Sequence, residues 1–244
     1  MLIAQVSDIH AGAENDNLQR LEKVVSWLSE LRPDCLVVSG DLVDDGWHEG
    51  YRKIRRHLNG LACPAFVLPG NSDDKDAMFS LLPDHVGPGV GRAMHFAKVC
   101  GEVLLLGLDT TVPGTAHGDV AGHLPWLREQ LASAGKRRVM LFTHHHVFRS
   151  GIAPIDRIMC RGAELLEYLL LSVPTRPLAL CSGHVHRPMG RLFAGIPAYV
   201  CGSVCPANPL LLGDRQKLPV TDPPALMVHE MEADRLISHH VSIT

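Results

Sequence analysis

Five short apolar runs in this 244-residue chain each stop at a turn that carries Asp, Asn or His. Leu2–Val6 runs into Ser7-Asp8-Ile9-His10, Val37-Val38 into Ser39-Gly40-Asp41, and Ala65–Leu68 into Pro69-Gly70-Asn71. Residues 139–142 run into Thr143-His144-His145-His146, and residues 178–181 into Ser182-Gly183-His184-Val185-His186. Short runs rich in Val, Leu and Ile and bounded by Gly read as strands buried on both faces, the pattern of parallel strands covered by helices. Open α/β sheets bind their ligands beyond the carboxyl ends of such strands. A single Gly-Asp pair is weak, because Asp after Gly is more often a turn residue. Five strand ends with one shared chemistry predict a common rim on which they converge.

Helical patterns alternate with these runs. Asn15 or Asp16 is placed to cap a helix in which Leu18, Leu21, Val24, Val25, Leu28 and Leu31 follow the helical period, and Pro33 stops it. A second helix is predicted over residues 48–61 and a short third one after Asp74. Residues 93–99 and Val103–Leu108 then flank Cys100-Gly101-Glu102 as a hairpin. Helices at 125–134 and 163–171 each precede another ligand-bearing strand. Strands at 198–201, 225–231 and 236–243 close the chain, the last two joined by a tight turn at 232–234. The expected class is α/β with mixed sheets. The Pro-rich stretch 206–224 reads as a surface excursion, either a flap over the site or an oligomer contact.

The composition, 46% hydrophobic and 20% charged, is that of an ordinary folded domain. No basic and apolar leader follows Met1, and no apolar run approaches the roughly 20 residues that span a bilayer, so a cytoplasmic protein with no membrane partner is expected. Seven cysteines without paired spacing point to reduced thiols in the same compartment. A formal charge of −3 gives no reason to expect nucleic acid as a bulk partner.

The oxygen donors Asp8, Asp41 and Asn71, mixed with the imidazoles of His10, His144, His184 and His186, suit Mn, Fe, Zn or Ni better than Mg or Ca. No cysteine stands among them, which argues against a thiolate site. Seven ligands are too many for one tetrahedral ion. They suit two ions that share a carboxylate and lie about 3.5–4 Å apart, the arrangement that clamps an in-line displacement at phosphorus.

In order and content, Asp8-x-His10, Gly40-Asp41, Gly70-Asn71, His144 in its Thr-His-His context and Gly183-His184-x-His186 resemble the calcineurin-like metallophosphoesterases. Within that superfamily the chain is most similar to the bacterial class III cyclic nucleotide phosphodiesterases and the glycerophosphodiesterases, over residues 1 to about 205. The resemblance implies one domain over residues 1–244, built as a four-layer αββα sandwich of two mixed β-sheets flanked by helices. It implies that Asp8, His10 and His186 hold one divalent or trivalent ion of Mn, Fe or Zn. Asn71, His144 and His184 hold the other, and Asp41 bridges the pair. A metal-held hydroxide would attack a small phosphodiester of the cyclic nucleotide or glycerophosphodiester type. A phosphomonoesterase or nucleotide pyrophosphatase on the same site, and a non-catalytic binding module, are the alternatives. Relatives form dimers or larger assemblies, so a homo-oligomer is one expectation for the partner.

Asn71, Ser72 and His145 are the residues expected to meet substrate. Ser72 departs from the family, which carries a histidine there, and serine cannot ionise near neutral pH. His146 stands where a proline commonly follows the two histidines. Asp109, at the end of another strand, is expected to orient a ligand imidazole. His117 and His123 lie in the loop 112–123, from which they could reach the rim.

Overall fold

Three parallel strands, β1 (Leu2–Val6), β2 (Cys35–Ser39) and β3 (Ala65–Leu68), form the centre and one edge of the first sheet. The computed structural model describes residues 1–89, 93–211, 220–232 and 235–244. Helix α1 (Asn17–Leu31) connects β1 to β2, α2 (His48–Asn59) connects β2 to β3, and α3 (Lys75–Leu81) follows β3. The α1 helix buries Leu21, Val24 and Leu28, one apolar stripe of its period, against the sheet. Its start is held by Asn15, whose Oδ1 accepts from the N–H groups of Gly12 and Asn17, while Asp16 at the N-cap makes no side-chain cap bond. In α3 the N-cap bonds are made by Asp74, which accepts from the N–H groups of Asp76 and Ala77.

The second sheet begins with the expected hairpin, β4 (Phe96–Cys100) and β5 (Val103–Leu108). It continues in parallel through β6 (Arg138–Thr143), β7 (Ala179–Ser182) and β9 (Ile196–Val200), with β8 (Met189–Phe193) antiparallel at the far edge, giving the order β4-β5-β6-β7-β9-β8. Helices α4 (Leu124–Ser133), α5 (Ala153–Asp156) and α6 (Ala163–Ser172) occur along this half. The chain then returns to the first sheet as β10 (Ala225–Glu232) and β11 (Arg235–Ser242), completing the order β11-β10-β1-β2-β3.

Three apolar layers follow from the two-residue period of the strands. In β1, Ala4 and Val6 face the helices α1 to α3, whereas Ile3 faces the other sheet with Val37, Leu68, Phe96, Leu105 and Phe142. Leu106, Leu141 and Leu180 turn the other way, toward α4 and α6. Two mixed sheets, face to face and covered by helices on their outer sides, are the four-layer architecture expected.

The differences from expectation are local. Strand β8 has no apolar run because its middle residues are exposed, and only its hydrogen bonds to β9 define it. Strand β4 starts at Phe96 rather than 93, since the N–H of Met94 is bonded to the Asp109 carboxylate. The turn at 233–234 and most of the excursion, residues 212–219, lie outside the described residues. The excursion's described ends are tied down: Arg187 donates to the carbonyl of Asn208 and the carboxylate of Asp222, and Arg20 donates to the carbonyls of Val204 and Asp222. Among the described residues no helix is long and apolar enough to cross a membrane. All seven cysteines are free thiols.

Candidate metal centre

The carboxyl ends of β1, β2, β3, β6 and β7 meet along one rim where the two sheets face each other. The chain turns there in an unusual way. Asp8, His10, Asp41, His184 and His186 all lie in the left-handed region, with φ of 55°, 48°, 54°, 71° and 55°. Non-glycine residues held there cost of order 1–3 kcal/mol each, and such strain clusters where function requires a fixed side-chain direction. The two sheets are joined at this strained rim. The N–H of His184, beyond β7, donates to both oxygens of Asp8, beyond β1, at 3.1 and 3.0 Å. A Cβ at position 183 would collide with Ser7 Oγ, so the approach of these two loops requires glycine.

Every outward-facing imidazole nitrogen has a partner that fixes the ring. His10 Nδ1 donates to Asp44 Oδ1 at 2.6 Å, His144 Nδ1 to the Ser39 carbonyl at 2.8 Å, and His184 Nε2 to the Ile158 carbonyl at 3.2 Å. His186 Nδ1 lies 3.2 Å from Cys205 Sγ. In the neutral tautomers that these partners select, the inward nitrogens of His10, His144 and His184 would carry lone pairs. They crowd together with carboxylate and amide oxygens. His10 Nε2 is 3.0 Å from His186 Nε2 and 3.3 Å from Asp41 Oδ2. His144 Nε2 is 3.2 Å from Asp41 Oδ2, 3.2 Å from Asn71 Oδ1 and 3.2 Å from His184 Nδ1. His186 Nε2 is 3.4 Å from Asp8 Oδ1.

Lone pairs at such separations repel unless positive charge lies between them. The titration behaviour reports the same field. Burial opposes charge on His10, but hydrogen bonds to Asp41 and Asp44 overcome it and raise its pKa to about 12. Burial likewise opposes charge on His144, and the negative charge of Asp41 raises it to about 9. Asp41, although buried, is held well below the usual carboxylate range by His144 and His10. Sites that draw in protons this strongly suit a cation, which competes for the same lone pairs. Asp8, His10, Asp41 and His186 could hold one ion, and His144, His145 and His184 offer donors for another. The residues therefore fit transition-metal ions with mixed N and O ligands.

The residues expected to meet substrate sit differently from one another. Asn71 Oδ1 faces His144 at the centre. Ser72 reaches the centre through its backbone: its N–H donates to Asp41 Oδ1 at 2.8 Å, while its hydroxyl donates to the Val43 carbonyl at 2.9 Å. His145 is fully buried, its Nδ1 2.8 Å from Thr110 Oγ1, its Nε2 without a hydrogen-bond partner and its ring 4.7 Å from that of His184. Burial and the neighbouring charge of His144 keep it well below the ordinary histidine range. His146 is buried as well. His123 pairs with His95, which stacks on Trp126, and His117 lies near Thr115, so neither joins the cluster.

Asp109 orients no ligand imidazole. Its carboxylate instead accepts from Lys75 Nζ, the N–H of Met94, and both the N–H and hydroxyl of Thr111. Asp44 holds the position behind a ligand imidazole, that of His10, that was expected of Asp109. The Asp-Leu-Val-Asp spacing from Asp41 to Asp44 was the signal available for that role. Cysteine is not absent from the neighbourhood either. Cys205 arrives from far along the chain, and with His10 and His186 it forms a further group of side chains that could hold an ion. Burial pushes its pKa up to about 12, which keeps it a thiol. Nothing local in the sequence signals this contact, nor the carbonyls of Ser39 and Ile158.

A family model described as Calcineurin-like phosphoesterase matches residues 1–188, which include every residue of the cluster except Cys205. The chain is 29% identical over 256 aligned residues to the glycerophosphodiester phosphodiesterase GpdQ of Enterobacter lignolyticus, covering 100% of this chain and 91% of that one. It is 31% identical over 216 residues to the 3',5'-cyclic adenosine monophosphate phosphodiesterase CpdA of Escherichia coli, covering 83% of this chain and 76% of that one. A dimetal phosphatase from Danio rerio has a similar fold, with a TM-score of 0.72 over 98% of this chain and 95% of that one at 15% identity.

Proposed function

The chain belongs to the calcineurin-like phosphoesterase family, and from that premise we propose that it is a phosphodiesterase that hydrolyses small diesters at two transition-metal ions, cyclic nucleotides and glycerophosphodiesters being its two candidate substrate classes. One observation carries the two-ion reading. A single oxygen, Asp41 Oδ2, stands 3.3 Å from His10 Nε2 and 3.2 Å from His144 Nε2, between the two groups of donors. Asp8, His10 and His186 would hold one ion, Asn71, His144 and His184 the other, and Asp41 both. When bound, such ions supply Lewis acidity toward water and toward the phosphate oxygens.

The protein's own groups account for the rest. Asp44, Ser39 and Ile158 fix the imidazoles in the tautomers that point lone pairs inward. The Ser72 N–H holds the other oxygen of Asp41, so the shared carboxylate cannot rotate freely. Asn71, with its oxygen directed to the centre, keeps its amide hydrogens for a phosphate oxygen. No imidazole stands at position 72 to protonate a departing alkoxide, which favours diesters with good or strained leaving groups over alkyl monoesters. The names of the two relatives, both diesterases, support the same class.

The test combines metal analysis with turnover of a cyclic nucleotide, a glycerophosphodiester and an alkyl monoester. Two ions per chain, and diester hydrolysis faster than monoester hydrolysis, are expected. Asp41→Ala should lose both metal and turnover. Full activity with one ion, or in the Asp41→Ala protein, would reject the shared-carboxylate reading, and faster monoester hydrolysis would make the enzyme a phosphomonoesterase.

A further inference from the structure

A cavity of about 540 Å³ opens directly beside Asn71, a size in the range of small-molecule sites. Its walls come from the turn beyond β3, from α3, from Gly89 and Met94, and from the loop 111–114. The apolar part consists of Phe79, Met94, Val112 and Pro113. Phe79, 43% exposed, is the aromatic side chain among the described lining residues. The chain at Gly89 passes so close that a Cβ there would press into the Phe79 ring, so the ring is braced from one side.

The cavity is also tied together. Asp109, 1% exposed, takes hydrogen bonds from Lys75, Met94 and Thr111, three of the lining residues. Lys75 is the cation among the described lining residues, and its Nζ is paired with Asp109 at 2.7 Å. The carboxylates of Asp74 and Asp76 are not matched by a free cation among those residues. A second phosphate is therefore a poor occupant, because it would meet like charge. A flat, uncharged group that offers N–H donors to a carboxylate and a face to Phe79 is a good one.

We propose that this cavity is a specificity subsite that holds a heteroaromatic substituent of the phosphodiester, with Phe79 as its stacking surface, so that the enzyme discriminates nucleoside-type diesters from small glycerol-type ones. The assignment rests on the phosphodiesterase reading of the adjoining centre. Phe79 is not among the residues that build that centre, and truncating a half-exposed ring on a short helix leaves the core intact.

The experiment compares the metal-loaded wild type with Phe79→Ala and Phe79→Leu on a cyclic purine nucleotide and on the base-free cyclic sugar phosphate of the same ring. Adenosine binding is measured separately by calorimetry. Base–aromatic stacking predicts that Phe79→Ala raises KM for the purine diester about tenfold, with kcat and the base-free substrate changed less than about twofold. Phe79→Leu should fall between, and adenosine should bind Phe79→Ala about tenfold more weakly. Equal KM values for the two diesters in the wild type, or a rise in KM for both in Phe79→Ala, would overturn the subsite. If neither diester turns over, the phosphodiesterase reading fails, and adenosine then decides the cavity alone: binding lost in Phe79→Ala supports it, and no binding to the wild type overturns it.

Discussion

His186 illustrates how backbone strain and side-chain chemistry are traded at single positions. Its φ of 55° turns the imidazole inward, a conformation that costs an L-residue roughly 1–2 kcal/mol and glycine almost nothing. In the metal-free protein, His186→Gly should therefore be more stable than His186→Ala by about 1 kcal/mol, read as a shift in urea midpoint. Equal midpoints would show that the strain is not stored there. The outer nitrogens matter as much as the inner ones. Asp44→Ala removes the acceptor that fixes His10, and loss of such a partner typically weakens metal affinity 10–100-fold. Competition with a chelator measures it, and an unchanged affinity would mean that His10 needs no orienting carboxylate. Ser72 allows a third test at this scale. Ser72→His should flatten the dependence of rate on leaving-group pKa across a series of phosphoesters. A wild-type rate that already barely varies across the series would show that another group supplies the proton.

Among the elements, β1 and β7 belong to different sheets, and their trailing loops meet at the rim. That junction relies on Gly183, whose missing side chain leaves room for Ser7. Gly183→Ala should destabilise the fold by about 1–3 kcal/mol, the usual cost of overpacking a dense interior. It should also weaken metal binding, because the N–H of His184 would be displaced from Asp8. Thermal melting with and without metal separates the two effects. A variant as stable and as well metallated as the wild type would mean that the loops have slack that the structure does not suggest.

Across the whole molecule, the two sheets enclose a polar network within their shared apolar layer. Gln5 donates to Ser39 Oγ and the Ser182 carbonyl, linking β1 to β2 and to β7 of the other sheet. His229 on β10 lies 2.8 Å from Ser238 Oγ on β11. Burial pushes its pKa down from 6.5 to about 3. The folded protein thus keeps His229 neutral where the unfolded chain binds a proton, so its contribution is intact above pH 6.5 and is lost as pH falls toward 3. Within that window His229→Gln should flatten the pH dependence of unfolding free energy by up to about 1.4 kcal/mol per pH unit. Denaturant titrations at several pH values test this, and parallel slopes would show that His229 is protonated in the fold.

The cluster of donors at the rim was legible in the sequence because parallel strands impose a simple rule: the residues just past the last apolar position of a strand land on the rim. Asp8, His10, Asp41, Asn71, His144, His184 and His186 all obey it, and the apolar runs before them mark strands buried on both faces. Asp109 obeys the same rule and carries the same local signature, yet it lies beyond β5, where α3 and its Lys75 take up the carboxylate. No local pattern distinguishes the two cases. The partners that fix the imidazoles, from the Ser39 and Ile158 carbonyls to the Cys205 thiol, are contacts between segments far apart in the chain, made only when both sheets are in place. His145 looks as available as His144 in sequence. Its burial comes from how the chain turns after β6, with Thr110 holding the ring. Residue order was thus enough to say which strand ends meet at the rim and which of these donors they carry there. Which nitrogen each imidazole presents came from the packed sheets alone, because it depends on distances between segments that are remote in the chain.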